Sequence, residues 1–103
     1  MKKLFISQPM KGKTDAEIFI ERNRAIEEAK KIVNDDVTII DSFFQGAPAD
    51  ANPLWFLGKS FELLSTADIA YFAKDWEMYR GCKLEHEAAI QYGIKTIEYV
   101  EDK

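Results

Sequence analysis

Little in this chain can be crosslinked, can coordinate a metal or can enter a bilayer. Cys82 is the only cysteine, which excludes a disulfide framework and suits a reducing, cytoplasmic compartment. His86 is the only histidine and has no Cys or His at ligand spacing, which argues against a metal site. No cofactor is expected. The opening Met1-Lys2-Lys3-Leu4-Phe5-Ile6 reaches Ser7-Gln8 after three apolar residues, too short a run for a signal peptide or a membrane span. An excess of basic charge is also missing. The net charge of -4 argues against a nucleic-acid duplex as partner, because such a partner needs a basic surface. The Walker A spacing, the G-x-G-x-x-G fingerprint and the G-x-S-x-G elbow are all absent, and no internal repeat stands out.

What remains is an ordinary globular composition. Apolar residues make up 47% and charged residues 31% of 103, enough for one domain with a modest core. Residues 4–6 read as a buried strand, followed by a loop over 7–13. Thr14-Asp15-Ala16-Glu17 has the form of a capping box, so a helix starts there. It should run to about Asn34 and bury Ile18, Arg22, Ala25, Ala29 and Ile32 with Val33. Residues 37–40 form a second strand, and Asn52-Pro53 pairs an N-cap with proline at the first helical position.

The helix from Pro53 to about Thr66 carries Leu54, Leu57, Phe61 and Leu64 on one face. Trp55 and Phe56 sit beside them, more apolar surface than one sheet-facing stripe needs. Residues 69–73 and 94–100 are the third and fourth strands. Between them, Gly81 opens a helix with Leu84, Ala88 and Tyr92 recurring along it, and Gly93 closes it. The order βαβαβαβ with right-handed crossovers predicts an α/β domain, a parallel four-stranded sheet ordered 2-1-3-4 with helices on both faces. Its switch point falls between strands one and three, where the loops 7–13 and 75–81 leave the sheet.

Two loops and a helix start therefore meet at one place. Ser7, Gln8 and Gly12 offer a hydroxyl, an amide and open backbone N–H groups, a cradle for a phosphate or a sugar hydroxyl, or simply a turn. Glu85 lies about one turn into the helix from Gly81. The helix dipole favours its ionised form by roughly 0.3–1 kcal/mol. Partial burial opposes that and strips away the water that blunts a nucleophile. A glutamate on an amphipathic helix is more often a solvated surface residue. Trp76 and Tyr79 could stack a nucleobase and Asp75 could hydrogen-bond it, or Trp76 could close the end of the sheet. For His86 the expected surroundings are solvent or a contact between subunits. Cys82 reads as a small packed residue.

Ser7-Gln8-Pro9-Met10-x-Gly12, Leu57-Gly58-Lys59-Ser60 and Ala67-Asp68 followed by Trp76-Glu77-x-x-Arg80-Gly81-Cys82-x-x-Glu85-His86-Glu87 together form a signature. It resembles a small bacterial and phage family within the nucleoside 2-deoxyribosyltransferase-like superfamily, over nearly the whole chain. The resemblance implies a flavodoxin-like fold and cleavage of the N-glycosidic bond of a 2′-deoxynucleoside or its monophosphate. It assigns the nucleophile to Glu85, since Gly81, Glu85 and Gly93 match the enzymes' glycine, glutamate and helix-ending glycine. Ser7, Gln8, Pro9, Met10 and Gly12 would hold sugar or phosphate. Phe43, Trp76 or Tyr79 would stack the base, Asp75 would assist its departure, and Ser60 and Gly81 would complete the site. The chain departs from the enzymes at Phe5, where they carry a tyrosine, at Ser60, where they carry an aspartate, and at Tyr79, where they carry an aspartate or serine.

The expected ligand is thus a small nucleoside or nucleotide, handled by a glycosyl-transferring or hydrolysing enzyme. The alternatives are a non-catalytic nucleotide-binding or sensor module of the same fold, and an interaction protein that works through Trp55 and Phe56. A homodimer or higher homo-oligomer is expected under each, with no duplex and no membrane as partner.

Overall fold

A computed structural model describes residues 1–41 and 49–101. The elements alternate: β1 (Lys2–Ser7), α1 (Asp15–Val33), β2 (Val37–Ile39), α2 (Pro53–Leu64), β3 (Ile69–Phe72), a 3-10 turn (Trp76–Met78), α3 (Arg80–Gln91) and β4 (Lys95–Glu98). All pairings are parallel, in the order β2-β1-β3-β4. The fold is the flavodoxin-like sandwich that the alternation predicts. Element ends agree with the sequence expectation or differ from it by one or two residues.

The helix starts form as their chemistry demands. Thr14 accepts from the Glu17 N–H while the Glu17 carboxylate accepts from the Thr14 N–H, a complete capping box. Asn52 accepts from the Trp55 N–H at 2.9 Å, with Pro53 as first helical residue. Helix α1 stops at Asn34 in the left-handed region, and Gly93 follows α3 at φ +76°.

Chain order also sets which face each helix covers. The step from β1 to β2 runs one way across the sheet, and the steps to β3 and β4 run the other. Right-handed crossovers then put α1 on one face and α2 with α3 on the opposite face. The packing agrees. Leu4, Ile6, Ile69, Tyr71 and Ile97 pack with Ala25 and Ala29 of α1, while Phe5, Ala70 and Phe72 pack with Leu64 of α2 and Ala89 of α3. The largest fully buried side chains, Tyr71, Phe5, Phe72, Leu4, Ile6 and Ile69, all come from β1 and β3. Burying each contributes up to about 1.5–3 kcal/mol.

Three expected helix faces are corrected. Helix α3 turns inward Cys82, Glu85 and Ala89, with Ala88 half-buried beside them, and not Leu84 or Tyr92, which are 43% and 85% exposed. The bulk on this side comes from Phe5 and Phe72, so the helix offers its small and polar row to them. On α1, Ile32 in the last turn is half exposed, whereas Ile18, Arg22, Ala25 and Ala29 are buried as expected. On α2 only Leu64 is buried; Leu54 and Phe61 are exposed. The reason is that α2 leans chiefly on α3 rather than lying along the sheet. Its amino-terminal half therefore stands off and leaves a cleft.

Candidate functional site

That cleft lies at the carboxyl end of β1, between the loop after Ser7, the first two turns of α2 and the start of α3. Its volume is about 520 Å³, within the range of small-molecule sites. Glu85 lines it from the second turn of α3 and is only 7% exposed. Ser7, the last residue of β1, donates its hydroxyl to Glu85 Oε1 at 2.6 Å. Ser60 of α2 lines the same cleft and, like Ser7, favours the ionised form of this carboxylate. Three elements remote in sequence thus converge on one carboxyl group.

Burial pushes the Glu85 carboxyl above its ordinary value, and the hydrogen bonds from Ser7 and Ser60 pull it back. Both opposing groups are neutral hydroxyls. Cys82, one turn earlier on α3, also lines the cleft and is pushed up to about 11, first by burial; Glu85 adds to the rise, while Ser7 and Lys13 oppose it. A thiol in that state stays protonated at neutral pH and packs, as the sequence suggests.

The loop after β1 is held by its own buried bonds. Gln8 donates Nε2 to the Ile18 carbonyl at 3.2 Å and accepts from Arg22 at 3.1 Å. Its amide, a candidate ligand group from sequence, is therefore committed to α1, although the residue lines the cleft. Burial lowers the Arg22 guanidinium from its usual range, and the charge of nearby Asp41 opposes that shift. Gly12 sits at φ +79°, where a side chain would be strained; its place is in the turn and not on the cleft wall. Pro9 and Met10 line the cleft, as do Tyr79 and Gly81 at the start of α3.

The other expected site residues lie elsewhere. Asp75 is exposed at φ 68° and precedes the 3-10 turn, outside the cleft lining. Trp76 is also outside it: its ring packs on Phe72 and stacks on His86, with centroids 4.1 Å apart and planes 23° from parallel. Of the two roles open to it from sequence, closing the sheet end is the one it occupies. The His86 side chain is only 16% exposed rather than solvated; its Nε2 lies 2.8 Å from Glu98 Oε1, so α3 is tied to β4. Phe43 falls outside the described residues.

Sequence reasoning missed one wall. Pro53, Phe56 and Leu57 of α2 line the cleft together with Ser60. Their spacing of three, four and seven residues is a helical row, and that row was available in the sequence. It was hidden because α2 carries apolar residues on every side, so the fourfold leucine and phenylalanine pattern was equally visible. Lys11, Phe5 and Ile6 complete the cleft.

Among the described residues, no group of three or more His, Cys, Asp or Glu side chains is placed to hold a metal ion, and no helix is long and apolar enough to cross a membrane. Compared with known proteins, the chain matches no family model, no curated protein and no solved structure.

Proposed function

We propose that this chain transfers or hydrolyses the N-glycosyl bond of a 2′-deoxynucleoside or deoxynucleoside monophosphate, with Glu85 as nucleophile. The observation that carries this reading is the buried Glu85 carboxylate, which lines a small-molecule cleft and is oriented by the Ser7 hydroxyl. Glu85 attacks C1′ of the sugar as the C1′–N bond breaks and its electron pair leaves with the base. Water or a second base then attacks the glycosyl ester and frees the carboxylate. Asp75 stands outside the cleft, so the proton for the departing base comes from Tyr79 or from solvent. Phe56 and Tyr79 are the aromatic walls available to the base.

The test is a chromatographic assay for free base over a panel of deoxynucleosides and their monophosphates, with and without an acceptor base. Release that disappears in Glu85→Ala supports the reading, and dependence on acceptor separates transfer from hydrolysis. Release that persists in the variant removes Glu85 from the mechanism.

One observation favours the non-catalytic binding or sensor module. Glu85 is the single carboxylate among the described lining residues, whereas glycosyl chemistry generally employs two. In that module Glu85 hydrogen-bonds a sugar hydroxyl. Calorimetric nucleotide binding without base release over hours would select it. Under either reading the protein works in the cytoplasm as a homodimer or larger homo-oligomer, with the exposed Leu54, Phe56 and Phe61 of α2 at the contact. A sedimentation profile showing only monomer at micromolar concentration would contradict the assembly.

A further inference from the structure

Ser7 and Gln8 are consecutive residues gripped from opposite faces of the sheet. Side chains alternate along an extended strand. Phe5 packs on the side of α2 and α3, and Ile6 on the side of α1. Two residues after Phe5, Ser7 gives its hydroxyl to Glu85 of α3 at 2.6 Å. Two residues after Ile6, Gln8 turns its amide to α1, donating to the Ile18 carbonyl and accepting from Arg22. The peptide group between them is held as well, because the Ser7 carbonyl accepts from the Ala73 N–H at 2.9 Å.

The grip from α1 is made of polar groups placed out of water. Gln8 is 7% and Arg22 9% exposed. An apolar pair of the same shape could fill this space at little cost in stability. What the polar pair supplies is direction, since hydrogen bonds fix an angle as well as a distance. Gln8 stands one residue beyond the last paired residue of β1, so the strand ladder no longer places it. Its two side-chain bonds take over there, on the residue next to the one that orients the cleft carboxylate.

We infer that Gln8 and Arg22 are positioning residues for Glu85. Held from the α1 face, Gln8 fixes the direction of the chain at Ser7 and so keeps the Ser7 hydroxyl on Glu85 Oε1. The margin is small, because a displacement of about 1 Å takes that hydroxyl out of hydrogen-bond range. Arg22 acts one step further back, by holding the Gln8 amide. The effect on turnover rests on the glycosyl-bond reading. The effect on the carboxyl group does not, and it can be read without any substrate.

The test follows the titration of the Glu85 side-chain carboxyl by carbon-13 NMR in the full chain. Lys11, Lys13, Tyr79 and Cys82 near the carboxyl, and Asp41 near Arg22, are retained in every variant. Gln8→Met keeps the length of the side chain and removes both of its bonds. It should raise the Glu85 midpoint by roughly 0.5–1 pH unit, the scale of one hydrogen bond lost from the charged form. Ser7→Ala should raise it as far, and the double variant no further, because Gln8 acts through Ser7. Arg22→Lys keeps the charge but loses the planar fork of donors, so it should move the midpoint the same way. It also keeps the test open if Gln8→Met fails to fold. An unmoved midpoint in folded Gln8→Met or Arg22→Lys would overturn the inference, as would a double variant whose shift is the sum of the two. In the base-release assay Gln8→Met should lower kcat about tenfold or more and leave KM within about twofold. Base release by none of the proteins, with the midpoints moved as expected, would overturn the glycosyl-bond reading and leave the positioning role standing.

Discussion

The two faces of this sheet treat carboxylates in opposite ways. On the α1 face Glu21 and Glu28 are met by Lys13 and Arg24, and Glu28 also accepts from the Tyr71 hydroxyl at 2.5 Å. On the other face Glu85 accepts from the Ser7 hydroxyl, and the Ser60 hydroxyl also favours its ionised form. A cation neutralises a carboxylate and makes it a structural fixture, whereas hydroxyls orient it and leave its charge available. Burial without a counter-charge raises the energy of the ionised state. Only the second arrangement leaves a group that gains by attacking carbon or by donating and accepting protons. The difference separates an ion-paired wall from a floor whose carboxylate is held by a neutral hydroxyl, within one small domain.

The comparison breaks most completely at Glu85. Replacing it with Ala or Gln should lower base release by at least about a thousandfold, the scale on which loss of a nucleophile acts. A residual rate above a tenth of the original would place the chemistry elsewhere. Next comes Arg22→Met, which keeps the bulk but leaves Gln8 and Asp41 without their buried cation. It should cost about 1–3 kcal/mol in urea-induced unfolding, the penalty for leaving the buried Gln8 oxygen without its donor.

A pH series sharpens the contrast further. The folded Glu85 carboxyl lies above its ordinary value of 4.5, so the native state holds this proton longer than the unfolded chain does. Stability contributed by the protonated form is fully present below that value and is lost as pH rises toward the folded value. Glu85→Gln cannot lose it, so the variant should gain stability relative to the unaltered protein as pH rises above about 4.5. A stability difference that is flat with pH would show that the carboxyl is not perturbed. The Ser7→Ala variant removes a hydrogen bond to the charged form and should move the acid limb of the activity profile upward. The smallest effect belongs to the start of the α2 wall: Asn52→Ala removes the α2 N-cap and should cost about 1 kcal/mol.

Much of the fold could be read from residue order. The capping box at Thr14, the Asn52-Pro53 start, the Gly93 stop and the alternation of strands and helices are local signals, and each acts where it stands. Glu85 and Ser7 were legible as candidates because each follows a strand at the switch point. What the sequence concealed depends on how elements lean. Helix α2 tilts onto α3, so Phe56, Leu57 and Pro53 face the cleft, and no periodicity within α2 could select that row from its neighbours. Likewise, Asp75 and Trp76 lie within ten residues of Glu85, yet a positive φ at Asp75 turns them away from it. The expected His86 surface position failed for a similar reason, since its partners Trp76 and Glu98 come from a turn and a strand on either side of α3.

The strand order has a consequence for how the chain is made. Strand β1 is synthesised first, yet it is central in the sheet and takes its second neighbour from β3, Leu4 against Ile69. A ribosome adding about 5–20 residues per second leaves that neighbour missing for several seconds or more. During that time the Leu4–Ile6 segment has at most β2 beside it and one bare edge. The distant pairing also makes the contact order high, which slows folding after release. The nascent protein therefore passes through a stage in which the apolar Leu4–Ile6 segment of a central strand is open to other chains, and its yield should depend on whatever shelters that strand until β3 emerges.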